Sequence, residues 1–414
     1  MSQIEQVTSS EAVPKAKVFR RRVFYIPGFD PFPPRRYREL YRKEGAEQAL
    51  VTGYDISLRP KGKAGWTVRS RINGQQTEAE VEVLEWSDIV QGSMSGGILA
   101  TYAQLLKTAW TYINSGALWR LMRLRKGPVI AALYPVAALI LQALVALASA
   151  ALAIWLGFWA MPGLDGGGYI VHAALAVGVF WAVLEGFRRI DRRLMAWYLM
   201  HDYAFVAQHG GKDPAALTAR LEDFVTRLRA ALHEPWDEVL LVGHSSGAHM
   251  GVQVLAQVIR TGLPLNHPAL GLLTLGQVVP MVSFLPHANH LRGDLQFLCM
   301  RDDVTWVDVT APGDGCAFAL CDPVSVTGVA PDAKKWPLVL SAAFTQTLSA
   351  ERWEKLRWRF FRLHFQYLCA FDRPGDYDYF QITSGPQTLG ERYKNRRRSK
   401  SVIDRPVNRY TTVE

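Results

Sequence analysis

A short run of small and polar residues, 243–247, has the composition of a nucleophile site. It reads Gly-His-Ser-Ser-Gly, so Ser245 has a glycine two residues before it and another two residues after it. The run follows a largely apolar stretch, 238–242, that is typical of a buried strand, and it precedes a helix-like stretch, 248–256. A strand, a sharp turn and a helix in this order predict a strained turn that lifts the Ser245 hydroxyl clear of a sheet.

In this setting the sequence resembles the α/β-hydrolase superfamily, with Ser245 in the position of the nucleophile. A hydroxyl becomes a good nucleophile only when a base takes its proton, and an acid must orient that base. The resemblance implies that serine, acid and histidine follow one another in this order along the chain. Of the ten histidines, only His364 follows every candidate acid strand, so it is the predicted base. The alternative is a histidine that merely packs between its aromatic neighbours.

The predicted acid is Asp314. Residues 306–310 have the pattern of a strand, and the turn after them ends at Asp314, which is where the resemblance places the acid. Asp308 lies within the strand, so its side chain would point to one face of the sheet, and Asp302 and Asp303 precede it. Asp322 is the alternative acid.

A tetrahedral intermediate also needs hydrogen-bond donors for its oxyanion. The resemblance implies that one donor is the backbone N–H of Ser246, directly after the nucleophile. The stretch 23–31, which reads as a strand followed by Pro-Gly, is similar to the family's His-Gly loop with Pro27 in the histidine position. The second donor is therefore predicted to be the N–H of Phe29. The alternative is an ordinary Pro-Gly turn.

The rest of the chain supplies a sheet for these residues. Residues 22–88 contain short alternating runs separated by glycine, which predict strands and hairpins, whereas residues 204–372 alternate strand with helix. Alternating strand and helix indicate an α/β fold. The prediction is a hydrolase-like, mostly parallel sheet with helices on both faces, to which both blocks contribute strands.

Between the two blocks lie two long apolar stretches, 129–158 and 168–184, joined by the short segment 161–167. Each is long enough to cross a bilayer, and the basic clusters 120–126 and 188–193 lie just outside the pair. This is the positive-inside pattern of a transmembrane hairpin, and it predicts that both termini and the hydrolase domain are cytoplasmic. A buried helical pair of a soluble domain is the alternative. His172, inside the second span, is interpreted as a helix-packing residue.

The predicted organisation has six parts. They are a disordered N-terminus (1–22), the first part of the hydrolase domain (23–92), an amphipathic interfacial helix (93–126), the hairpin (127–187), the second part of the hydrolase domain (188–385) and a basic tail (386–414). The interfacial helix could instead pack on the domain as an ordinary amphipathic helix. The tail is interpreted as either lipid-binding or disordered.

Composition argues against several other classes of protein. The net charge is +10, from 47 basic and 37 acidic residues, but eight of the basic residues flank the apolar stretches, so no nucleic-acid partner is expected. Four cysteines without a CxxC pair suggest neither a disulfide framework nor zinc. His287 and His290 lack a third ligand, and dinucleotide or phosphate-binding loops are missing from the sequence, so neither a metal nor a cofactor is expected.

The sequence therefore predicts a membrane-anchored serine hydrolase that cleaves an ester of a lipid-like or acylated substrate through an acyl-enzyme intermediate. The bilayer and this substrate are its expected partners. An acyltransferase with the same triad is one alternative, and a non-catalytic membrane scaffold on a hydrolase fold is another. The physiological substrate and the oligomeric state do not follow from the sequence.

Overall fold

The computed structural model describes residues 19–160 and 168–414. Eight strands form one sheet. They are β1 (Phe19–Ile26), β2 (Asp55–Lys61), β3 (Gly65–Ile72), β4 (Gln75–Val83), β5 (Glu238–His244), β6 (Ala269–Leu275), β7 (Thr305–Thr310) and β8 (Leu338–Ser341).

The helices lie between and after these strands. They are α1 (Arg35–Thr52), α2 (Ser87–Ser93), α3 (Ile98–Asn114), α4 (Ala117–Leu124), α5 (Lys126–Ala160), α6 (Gly168–Arg189), α7 (Asp191–Leu194), α8 (Ala196–Ala207), α9 (Ala215–Leu232), α10 (Gly247–Arg260), α11 (Val279–Ser283), α12 (Asn289–Leu298), α13 (Pro323–Thr327), α14 (Phe344–Thr347), α15 (Ala350–Leu356), α16 (Phe360–His364), α17 (Tyr379–Ser384) and α18 (Leu389–Tyr393). A 3₁₀ turn, Phe365–Leu368, follows α16.

The strand order is β2-β3-β4-β1-β5-β6-β7-β8. The strands from β4 through β1 to β8 pair in parallel, whereas β2 with β3 and β3 with β4 pair antiparallel. The expected α/β class with a mostly parallel sheet is thus confirmed, and the two sequence blocks meet where β1 pairs with β5. Because the strands β1, β5, β6 and β7 are parallel neighbours, the loops after them lie at one edge of the sheet, the carboxyl edge.

Both faces of the sheet are covered. Along β5, Val239 and Leu241 join one buried cluster with α9, α10 and α12, whereas Leu240 and Val242 join a second cluster on the opposite face. A strand that is buried on both faces has to be apolar throughout, which is the pattern that residues 238–242 carry.

Residues 1–22 were expected to be a disordered N-terminus, and this is wrong for residues 19–22, which belong to β1. β1 begins at Phe19, which pairs with Thr77, while residues 1–18 lie outside the described residues. Because β1 contains three consecutive arginines, the first half of its sequence lacks the apolar pattern that is typical of a buried strand. Arg21 is nevertheless fully buried, because its Nε donates to Glu238 at 2.5 Å and its Nη1 to the Gly385 carbonyl at 2.7 Å.

The stretch 386–414, expected as a basic tail, lies against the folded body. It contains α18, Ile403 forms a β-bridge with Cys321, and Arg292 donates from Nε to the Thr412 carbonyl at 2.7 Å. Several of its basic side chains form ion pairs, such as Arg398 with Asp404. This segment is therefore part of the domain.

The apolar stretches form the two long helices α5 and α6, of 35 and 22 residues, and both are long and apolar enough to cross a membrane. Only 22 % and 11 % of their most apolar windows are buried, so most of these side chains face outward. His172 is buried between the two helices, where it stacks on Phe158 and its Nδ1 lies 2.6 Å from the Gly168 carbonyl oxygen. The predicted connecting loop, 161–167, lies outside the described residues.

The single amphipathic helix expected over 93–126 is two helices, α3 and α4. The chain breaks at Gly116, whose φ of +68° lies in the left-handed region that favours glycine. One side of α3 packs on α8 through Leu105 and Tyr112, and the opposite side leaves Leu106 and Trp110 exposed. The packing on α8 agrees with the alternative of a helix that packs on the domain, whereas the interfacial interpretation stays a prediction.

Candidate active site

The turn at Ser245 has the geometry of a strained elbow. Ser245 adopts a φ of +57°, which is rare for a residue with a side chain, between β5 and α10. Close contacts require both glycines of the turn. A methyl group added to Gly243 would lie 2.4 Å from the Gly247 carbonyl oxygen, and one added to Gly247 would lie 2.1 Å from the Ile26 carbonyl oxygen. Tight packing thus holds the strained residue in place, with Ser245 itself partly exposed at the carboxyl edge.

Asp314 and His364 lie side by side at the same edge. Nδ1 of His364 is 2.7 Å from Oδ2 of Asp314, and the Tyr367 hydroxyl donates to the same oxygen at 3.0 Å. The backbone N–H of Cys316 donates to Oδ1 at 2.9 Å. Burial acts to raise the pKa of Asp314, but the neighbouring imidazole and these donors outweigh it and lower the pKa. The carboxylate is therefore ionised and fixed on all sides.

The second ring nitrogen of His364, Nε2, is buried and has no hydrogen-bond partner within the described part of the chain. With Nδ1 donating to Asp314, Nε2 is the acceptor nitrogen of the neutral ring. It lies close to the elbow. The N–H of Ser245 donates to the Leu275 carbonyl at 2.9 Å, and a methyl group on the next residue, Gly276, would lie 3.0 Å from Cε1 of His364. The ring is thus near the elbow, although no hydrogen bond joins Nε2 to the Ser245 hydroxyl.

His244, directly before the serine, supports this ring and was not singled out from the sequence. Its Nε2 donates to the His364 carbonyl at 3.0 Å, and the two ring centroids are 4.8 Å apart. Burial, followed by the nearby His364 ring, lowers the pKa of His244 to about 3, so His244 is neutral. Tyr367 was missed as well. In both cases the sequence signal is only a polar ring close to a predicted site residue.

The predicted oxyanion donors also lie at this edge. A methyl group on Gly28 would lie 2.9 Å from Cβ of Ser245, so the loop after β1 passes directly over the elbow. This loop is held by Trp86, whose Nε1 donates to the Pro27 carbonyl at 3.0 Å, and by a hydrogen bond from the Tyr198 hydroxyl to the Phe29 carbonyl. Within the described ranges, the N–H groups of Phe29 and Ser246 donate to no other residue. Both donors are free for a ligand.

The other acids occupy structural positions. Asp308 lies on β7 and accepts from the hydroxyl of Thr274, its partner on the neighbouring strand β6, at 2.6 Å. Asp322 accepts from two backbone N–H groups at the start of α13 and pairs with Lys334 at 2.6 Å. Asp302 and Asp303 pair with Lys335 and Arg301. Asp314 is the candidate acid that contacts His364.

A further carboxyl group, Asp202 on α8, was not predicted. It lines a small cavity together with Phe29, Ser246 and His249. Burial raises its pKa to about 7, against the opposing influence of His364. Asp202 is thus largely uncharged below neutral pH, directly beside the predicted oxyanion donors.

One group of three metal-type donors is found among the described residues. Ligand atoms of Asp314, Cys316 and His364 lie within 4.8 Å of one another. Burial, followed by the charges of Asp314 and Asp202, raises the pKa of the Cys316 thiol well above its ordinary value. The thiolate that binds metals is therefore disfavoured, and the group fits a hydrogen-bonded acid–base pair better than a metal centre.

The base of the long helices touches the site. Gly127, at the start of α5, lies so close to Gly315 that a methyl group there would be 3.3 Å from the Gly315 carbonyl oxygen. After α6 and α7 the chain enters α8, which carries both Tyr198 and Asp202. The two ends of the apolar hairpin are therefore attached to the loops that form the site.

Comparisons of the chain with protein-family models, curated protein sequences and solved structures find no match.

Proposed function

We propose that the protein is a membrane-anchored serine hydrolase of the α/β-hydrolase type, which cleaves an ester of an acylated or lipid-like substrate. The observation that carries this proposal is the buried, unpartnered Nε2 of His364, with Asp314 bound to the other ring nitrogen and the strained Ser245 at the same edge of the sheet. A neutral imidazole with one nitrogen bound to a carboxylate and the other free is the state in which a general base works.

In the proposed mechanism His364 accepts the proton of the Ser245 hydroxyl at Nε2 as Oγ attacks the ester carbonyl. The Asp314 carboxylate stabilises the resulting imidazolium, and the N–H groups of Phe29 and Ser246 bind the oxyanion. The intermediate collapses when His364 returns the proton to the leaving alcohol, which leaves an acyl group on Ser245. Water then attacks the acyl-enzyme by the same route and releases the acid, so Ser245 recovers its proton.

Three features support a position at the membrane. The long helices α5 and α6 expose most of their apolar windows. Four apolar residues on one side of α3 are each more than half exposed, namely Leu99, Leu106, Trp110 and Ile113. Exposed arginines such as Arg192 and Arg193 follow α6, which favours the cytoplasmic side for the body of the protein. A site at the membrane surface would take acyl chains directly from the bilayer. It would thereby avoid the exposure of these chains to water, which costs about 0.8 kcal/mol for each CH₂.

The test is hydrolysis of a short-chain p-nitrophenyl ester by the full chain in neutral detergent. Ser245→Ala should abolish turnover, because the proposed acyl-enzyme forms on the Ser245 hydroxyl. Ser246→Ala is the matched control, since the proposal uses only the backbone N–H of Ser246, and it should keep most of the activity. Equal activity of Ser245→Ala and the wild type, or no turnover by either, would contradict the proposal. In the second case a non-catalytic scaffold becomes the better interpretation.

A further inference from the structure

A large groove adjoins the candidate active site. Its volume is about 770 Å³, and it runs between α1, the start of α8 and the segment of α15 and α16. Phe361 and Phe365, which flank His364 in the sequence, line it together with Tyr198. Tyr198 also donates to the Phe29 carbonyl, so one wall of the groove is shared with the predicted oxyanion loop. Ser245, Asp314 and His364 do not line the groove, which adjoins the site through Tyr198 and Phe365.

The lining combines apolar and cationic side chains. Phe32, Leu40, Met195 and Leu356 add to the aromatic wall, and six basic side chains face three carboxylates. The guanidinium of Arg36 lies over the Phe32 ring, 4.0 Å from its centroid. An apolar surface with a cationic rim is complementary to an amphiphile that has an anionic head.

The acids of the groove are already engaged within the protein. Asp30 accepts from the Tyr37 hydroxyl at 2.7 Å, Glu39 pairs with Arg42 at 2.9 Å, and Glu44 accepts from the Ala370 N–H at 3.1 Å. Some of the bases are engaged as well, since Arg352 pairs with Glu47 at 3.0 Å and Lys355 pairs with Glu351.

Two of the cations differ from the others. Arg359 and Arg362 are exposed, and neither forms an ion pair with a carboxylate of the described residues. They precede His364 on the segment that enters and forms α16. A guanidinium group that is not neutralised can form bidentate hydrogen bonds with a phosphate. The groove thus has unpaired positive charge on the side that leads to the catalytic ring.

The groove also lies near the end of α6. Met195, in the lining, directly follows α7, the short helix that connects α6 to the body. If α6 crosses the membrane as proposed, an anionic lipid would approach the groove from the end of this helix.

We propose that this groove selects an anionic lipid ester as substrate, with the phosphate of its headgroup held by Arg359 and Arg362 and its chain on the apolar wall. The inference rests on the proposed hydrolase function, because it uses the same serine. It adds a substrate class, amphiphiles with a negatively charged phosphate head, to that function.

The experiment measures how two non-hydrolysable amphiphiles slow the labelling of Ser245 by a fluorophosphonate. The full chain in neutral detergent micelles is incubated with hexadecyl phosphate or with hexadecylphosphocholine, which share a chain and differ in net charge. In the wild type, hexadecyl phosphate should protect Ser245 at concentrations about tenfold lower than hexadecylphosphocholine. The Arg359→Ala/Arg362→Ala variant should need about thirtyfold more hexadecyl phosphate for the same protection, because each basic side chain near the lipid head contributes roughly fivefold to the affinity.

The charge-matched control is Arg397→Ala/Lys400→Ala, which removes two exposed cations outside the groove and should leave the protection unchanged. An unchanged unfolding temperature checks that the groove variant is folded. Equal protection by the two amphiphiles in the wild type, or a groove variant that keeps the wild-type preference, overturns the inference while labelling itself still supports the hydrolase. No labelling of the wild type at all would overturn both.

Discussion

Asp308 and Asp314 show how differently the interior of the sheet and its carboxyl edge treat the same side chain. Both are buried, one on β7 and the other in the loop after it. In the interior, burial raises the pKa of Asp308 to about 8, and the carboxyl bonds to the Thr274 hydroxyl while its Oδ2 has no partner among the described residues. At the edge, His364, Tyr367 and the Cys316 N–H outweigh burial and lower the pKa of Asp314.

The difference teaches that burial alone does not identify a catalytic acid. A carboxyl group that can only accept from one neutral hydroxyl keeps its proton, whereas one beside an imidazole and two further donors is ionised. The partners of Asp314 come from the edge of the sheet, where the loops of neighbouring parallel strands meet. The proposed function assigns chemistry to the edge of the sheet and stability to its interior.

The largest effect is expected from Asp314→Asn. An asparagine keeps the size of the side chain but cannot stabilise the imidazolium or fix the ring in the required tautomer, so kcat for ester hydrolysis should fall by about 10⁴-fold. Asp308→Asn is the matched control and should retain the wild-type rate. The measurement is steady-state kinetics with a p-nitrophenyl ester. If both variants lost activity equally, the division between interior and edge would be wrong.

A smaller loss is expected from Gly28→Ala. The added methyl group would lie 2.9 Å from Cβ of Ser245, so the loop has to move away and the Phe29 N–H leaves its position. Loss of one oxyanion donor lowers kcat by about 10²- to 10³-fold. Gly92→Ala, where nothing lies within 4 Å of the added methyl group, is the control and should be fully active. A fully active Gly28→Ala enzyme would exclude the Phe29 N–H as a donor.

The smallest effect on catalysis, but a clear effect on stability, is expected from Asp308→Asn. Folded Asp308 holds its proton up to about pH 8, whereas the unfolded chain releases it near the ordinary value of 3.8. Between these values the folded state binds more protons, so its contribution to stability falls as pH rises, by at most about 1.4 kcal/mol per pH unit. Asparagine removes this dependence.

The measurement is the unfolding temperature of the full chain in detergent at pH 5 and pH 8. The wild type should lose more stability between these two pH values than Asp308→Asn, by a few degrees for each kcal/mol. An identical loss in both proteins would show that Asp308 is already ionised in the folded state.

Much of this architecture follows from local sequence pattern. The strand β5, the turn at Ser245 and the helix α10 are consecutive in the chain, so a single apolar run and two glycines predict all three. The helices α5 and α6 are also predicted from local sequence, because each corresponds to one continuous apolar stretch. The start of β1 does not follow from local pattern, because its arginines are neutralised by distant partners, Arg21 by Glu238.

The contacts that orient the site could not be predicted in the same way. Tyr367 reaches Asp314, and His244 reaches the His364 carbonyl, across more than fifty and more than a hundred residues of chain. The packing of residues 386–414 depends on contacts of the same long range, such as the bridge between Ile403 and Cys321. Local pattern specifies the elements and the nucleophile, whereas tertiary packing determines which polar groups surround them.

The most direct measurement is mass spectrometry of the full chain after exposure to a fluorophosphonate, followed by peptide mapping. One covalent adduct on Ser245 is expected in the wild type, with labelling strongly slowed in His364→Ala and absent in Ser245→Ala. An unlabelled wild type, or an adduct on another residue that persists in Ser245→Ala, would contradict the assignment of Ser245 as the nucleophile.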